Sequence, residues 1–111
     1  VPLEALDQVR RGLRRAVEAG TARRVRSLGR YGVSGKTGTA EISTKGDNNA
    51  WFAGWLPEPE PSRPWLVVVG VAYWVPDGAH GGDAAGRMVG SFLDALAGDP
   101  DLMGRYMQGV R

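Results

Sequence analysis

Val33-Ser34-Gly35-Lys36-Thr37-Gly38-Thr39-Ala40-Glu41, followed after a short polar gap by Asn49-Ala50-Trp51-Phe52-Ala53-Gly54-Trp55-Leu56-Pro57, is the stretch that decides the fold. Alternation and β-branched residues predict a strand over residues 31–43. Lys45-Gly46-Asp47-Asn48 reads as the turn after it, and residues 49–56 as a second strand. Trp51, Ala53 and Trp55 fall on one face of that strand, and Phe52, Gly54 and Leu56 on the other. Aromatics on both faces predict cover on both sides. Pro57-Glu58-Pro59-Glu60-Pro61 is a stiff linker. Residues 65–75 are apolar almost throughout, which predicts a third strand in a central position.

Helices bracket the strands. Over residues 2–19, Leu3, Leu6, Val9, Leu13, Ala16 and Val17 recur every three or four positions, forming one apolar stripe. Glu4 and Asp7 near its start and Arg14 and Arg15 toward its end suit the helix dipole. Residues 21–30 form a basic connector without clear periodicity, and residues 76–82 a loop. Asp83 can cap a closing helix through Ala97, with Ala85, Met88, Val89, Phe92 and Leu96 as its core stripe. Gly98 stops it, and Asp99-Pro100 opens one more helical turn bearing Leu102, Met103 and Tyr106. The fold class is α+β: an antiparallel sheet of three strands flanked by an N-terminal and a C-terminal helix.

Composition narrows the classes of function. The 111 residues suit a single domain spanning 1–111, with 42% hydrophobic and 23% charged residues, ordinary for a globular chain. There is no Cys, so disulfides and thiolate metal sites are excluded. His80 is the only histidine, and one histidine without Cys predicts no metal site. No cofactor is expected. The longest apolar run is too short to span a bilayer, so any membrane anchor is expected outside this segment. Eight Arg fall within residues 1–30, among them Arg10-Arg11, Arg14-Arg15 and Arg23-Arg24, yet the net charge is only +2. Interleaved acids and the apolar stripe mark a solvated face of an amphipathic helix, and no nucleic-acid-binding signature accompanies it.

Chemistry concentrates in the first strand. Lys36 offers a fixed positive charge that can hold a carboxylate or help move a proton. Thr37 and Thr39 offer hydroxyl donors, and Gly38 lets a ligand backbone or a facing helix come close. A backbone N–H such as that of Thr39 can stabilise an oxyanion, and an extended peptide can add to the strand edge. Gly35-Lys36-Thr37 also matches the end of a phosphate loop. Position 30 is Arg where that loop needs Gly, however, and the residues after Thr37 favour strand over the required helix.

Gly20-Thr21-Ala22, the Lys-Thr-Gly stretch 33–41, Asn49-Ala50-Trp51-Phe52-Ala53-Gly54 and the Pro-bounded apolar strand together resemble the C-terminal part of the transpeptidase domain of penicillin-binding proteins, most closely the class B type. The likeness runs from the first helix to about Ala97; residues 98–111 read as a tail outside it. The resemblance implies a five-stranded antiparallel sheet with a helical subdomain, working on the outer face of the bacterial cytoplasmic membrane. It implies a serine that attacks the penultimate D-Ala carbonyl of a peptidoglycan stem peptide and is acylated by β-lactams. By motif match, Lys36 lies across the cleft from a Ser-x-Asn serine. Thr37 and Thr39 bind the substrate carboxylate beside Gly38, and the Thr39 N–H completes the oxyanion hole. Strand alternation puts Lys36 on the face opposite Thr37 and Thr39, so one site can use all three only at a twisted edge.

One departure from the family is large. Ser27, Ser34, Ser43, Ser62 and Ser91 are the only serines, and none has Lys three residues on or Asn two residues on. The family's nucleophile is missing. The expectation is a segment that completes a site with the remainder of the domain, in the same or another chain, and is inactive alone. The alternative is a non-catalytic β-lactam or peptidoglycan sensor reusing the fold.

Overall fold

The computed structural model describes residues 1–41, 48–57, 66–75 and 81–106, with the side chains of all of these but 81–83. The elements run α1 (Leu3–Glu18), α2 (Arg26–Arg30), β1 (Ser34–Glu41), β2 (Asn48–Trp55), β3 (Val67–Val75), α3 (Gly81–Ala97) and α4 (Pro100–Tyr106). The strands form one antiparallel sheet in the order β1-β2-β3, with helices on one face. The expected α+β class is what the chain adopts. Residues 45–47, 58–61, 76–80 and Trp65, read above as turn, linker, loop and strand start, lie outside the described residues.

The hairpin register explains the glycines at its centre. Gly35 pairs with Gly54 and Thr37 with Phe52. A Cβ on Gly35 would come within 2.7 Å of Phe52 Cζ and 2.5 Å of the Ala53 carbonyl oxygen, and one on Gly54 would clash with the Ser34 carbonyl. The bare pair makes room for the Phe52 ring, which is fully buried. Around it pack Val17 of α1, Ala22, Leu28 and Val33 from the connecting segment, and Ala85, Val89 and Leu93 of α3. β1 begins at Ser34 rather than 31, because Gly32 takes a left-handed φ of +73° that no extended strand allows.

Several expectations are corrected. β2, not β3, is central, and β3 lies at the edge of the described sheet with Val67, Val69 and Tyr73 exposed. β2 is covered on its Phe52 face only; Trp51, on the other face, is 42% exposed. The α1 stripe meets the core at Val17 alone, while Leu3, Leu6 and Val9 lie exposed. Met88 and Phe92 are half exposed, and the buried face of α3 is Ala85, Gly86, Val89, Gly90, Leu93 and Leu96. α3 starts two residues before Asp83, which is therefore inside the helix and not its cap. The 21–30 connector contains the short helix α2.

Two smaller features follow from local chemistry. Tyr73 and Trp74 together oppose the single Asn49, a bulge that breaks the alternation and leaves both aromatics exposed while Val75 stays buried. Trp74 holds a φ of 57° there, a strained value for a bulky residue. Asp99 caps α4: its Oδ1 accepts the N–H groups of Asp101 at 3.0 Å and Leu102 at 3.2 Å, with Pro100 at the first helical position.

The basic face of α1 is not wholly solvated. Arg14 donates to the Val33 carbonyl at 2.7 Å from Nη1 and pairs with Glu18 at 2.7 Å from Nε, tying the helix to the start of β1. Among the described residues no helix is long and apolar enough to cross a membrane.

Candidate functional site

β1 has β2 on one side and no strand on the other among the described residues, so every second N–H and C=O along it points away from the sheet. From Gly38 to Glu41 the strand is exposed. Pleating sorts its side chains. Gly35 and Thr37 face the helices, and Lys36 and Gly38 face the open side, opposite Ala53 and Trp51.

Lys36 is exposed and donates from Nζ to the Thr37 carbonyl oxygen at 3.2 Å. No carboxylate pairs with it among the described residues. Two donors of the ammonium group are therefore left for a ligand. Gly38 differs from Gly35 in its surroundings. A Cβ on Gly38 would touch only Trp51 Cβ, at 3.8 Å, an ordinary contact. Packing among the described residues explains the glycine at 35 but not the one at 38, where a side chain would meet Trp51 without crowding it.

Thr37 is half-buried, and its Oγ1 lies 2.9 Å from Oγ1 of Thr21, in the turn that follows α1. Thr39 is exposed two residues further along the edge. The structure thus brings Thr37 and Thr21 together and keeps Lys36 on the other face, as alternation requires. Thr21 stands in the Gly20-Thr21-Ala22 run, but sequence spacing gave no sign of its contact sixteen residues away.

The penicillin binding protein transpeptidase domain model matches residues 1–94, which takes in β1, β2, β3 and most of α3. The chain belongs to the penicillin-binding protein transpeptidase family. No curated protein and no solved structure gave a significant match. Penicillin-binding transpeptidase function in general follows from the family. Among the described residues of this transpeptidase chain no group of acidic, His or Cys side chains could hold a metal ion.

A second polar cluster of the transpeptidase chain lies away from β1 and was not foreseen. Asp94 of α3 accepts from Tyr31 Oη at 2.7 Å and from Ser27 Oγ at 2.8 Å, with Arg30 Nη1 at 4.0 Å. The Tyr31 bond above all, then Ser27, holds the Asp94 carboxyl below its ordinary value. The same bond, with lesser help from burial, raises Tyr31 above its own. These contacts latch α2 to α3 over 63 and 67 residues of chain. The depressed Asp94 pKa contributes stability present above the unfolded carboxylate pKa and lost as pH falls through the folded one. The raised Tyr31 pKa contributes stability present below the unfolded phenol pKa and lost as pH rises through the folded one. Tyr31→Phe is therefore expected to cost about 1 kcal/mol at neutral pH, a charged hydrogen bond discounted for the half-exposed carboxylate. The deficit relative to wild type should shrink at both acid and alkaline extremes. Melting curves of both proteins across pH check this, and a deficit constant from acid to alkali would contradict it.

Proposed function

We propose that this chain supplies the Lys-Thr-Gly wall of a serine D,D-transpeptidase site, which the remainder of the domain completes with the nucleophile. The carrying observation is Lys36: an exposed ammonium group without a carboxylate partner among the described residues, on a strand whose Gly38 is itself exposed and not required by packing. Lys36 assists proton movement at the attacking serine across the cleft. Thr37 and Thr39 hold the carboxylate of the stem peptide or β-lactam, and the Thr39 N–H helps bind the oxyanion. The substrate lies along the β1 edge as an added strand. The site works on the outer face of the bacterial cytoplasmic membrane, in peptidoglycan cross-linking.

The partner segment has surfaces to dock on. Val67 and Val69 are exposed at β3, and a groove of about 390 Å³ runs between that strand and Met88 and Phe92 of α3. Leu3, Leu6 and Val9 of α1 are exposed as well. Apolar surface of this extent on a small chain supports burial against the remainder of the domain. No serine of this chain stands in a Ser-x-x-Lys or Ser-x-Asn box, which supports the nucleophile coming from that partner.

Thr37→Val tests the carboxylate role, because it removes the hydroxyl from a side chain of nearly the same shape. In a complete domain joined to the serine-bearing segment, β-lactams with a free carboxylate should lose about 1–3 kcal/mol in acylation, the range for a hydrogen bond to a charged group. Esters of the same compounds should lose little. Equal slowing of acid and ester would remove Thr37 from the carboxylate site.

A further inference from the structure

Resting on the carboxylate role proposed for Thr37, we infer that Thr21 is a positioning residue that fixes the direction of the Thr37 hydroxyl. The two Oγ1 atoms are 2.9 Å apart, and either can be the donor. A threonine hydroxyl carries one proton and two lone pairs. When Thr37 donates to Thr21, its proton is spent and it presents only lone pairs to an arriving carboxylate. When Thr21 donates to Thr37, the Thr37 proton is free to point at the ligand, and the two bonds polarise each other in one chain. An anionic ligand therefore selects the second arrangement, and Thr21 makes it available without breaking any other bond.

The turn that carries Thr21 is held firmly. Gly20 packs so closely that a Cβ there would stand 2.8 Å from Ala16 Cα. Ala22 is fully buried and donates its N–H to the Ala16 carbonyl at 3.2 Å. Arg23 donates to the Gly20 carbonyl from both its backbone N–H, at 3.2 Å, and its Nη1, at 3.1 Å. Thr21 itself is exposed, so its hydroxyl adds little to the core. Among the described residues its hydroxyl bonds to Thr37, on the strand proposed to meet substrate.

The test compares Thr21→Val and Thr21→Ser with Thr37→Val and the double variant, in the complete domain, using acylation by a β-lactam acid and its ester. Thr21→Val should slow the acid roughly three- to tenfold, the scale of one neutral hydrogen bond, and spare the ester. Thr21→Ser should restore the acid rate, and Thr21→Val should add nothing once Thr37 is Val. Equal slowing of acid and ester by Thr21→Val, failure of Ser to rescue, or a full effect in the Thr37→Val background would overturn the inference. If Thr37→Val shows no preference for the acid, the role given to Thr37 fails and the inference falls with it. If Thr37→Val shows the preference and Thr21→Val does not, the inference alone fails.

Discussion

Phe52→Ala is expected to destabilise the chain by about 3–5 kcal/mol, the range for a buried aromatic, while the adjacent Trp51→Ala costs about 1 kcal/mol or less. Phe52 is fully buried between the Gly35–Gly54 pair and the helices, so its loss leaves a cavity that the surrounding backbone cannot collapse into. Trp51 lies on the face of the sheet that no described element covers, and the residue is 42% exposed. Urea unfolding of both variants gives the comparison directly. Equal large losses would mean that the open face is covered in solution. In a complete domain the cost at Trp51 should rise if the partner segment covers that face.

The pair Trp51 and Phe52 also shows where sequence reading succeeds and where it stops. Alternation located both strands of the hairpin and sorted their residues onto two faces, because the period of two is a local property. It could not say whether both faces are covered, since cover comes from elements distant in sequence. The apolar run of β3 misled for the same reason: it reads as central, yet β3 is the edge of the described sheet. In α3 the phase was misread because glycine carries no hydrophobic signal. Gly86 and Gly90 face Val25, which a Cβ on either would approach to 3.2 and 3.0 Å, so the helix turns them inward and leaves Met88 and Phe92 half exposed. The five residues of α2 are too few to show a period. Of the candidate site, Lys36, Thr37, Gly38 and Thr39 were legible as one short run. Thr21 and the Asp94 latch were not, because each exists only once distant segments meet.

Lys36→Ala should lower acylation of a complete domain by on the order of a hundredfold or more, the usual worth of a positioned proton-transfer group. The side chain is exposed, and among the described residues it bonds only to the carbonyl of the next residue. Melting of the variant should therefore match wild type, separating loss of chemistry from loss of fold. Lys36→Arg keeps the charge but not the compact ammonium group and should recover only part of the rate. Normal acylation by the Ala variant would remove β1 from the wall of the site.

The central claim is that this chain holds one wall of an acyl-transfer site and that its nucleophile comes from elsewhere. Labelling with a fluorescent penicillin followed by a denaturing gel tests it most directly. The account predicts no covalent band on the chain alone. When the serine-bearing segment is supplied as a separate chain, a band should appear on that partner and vanish with Lys36→Ala. A covalent band on the isolated chain would contradict the account.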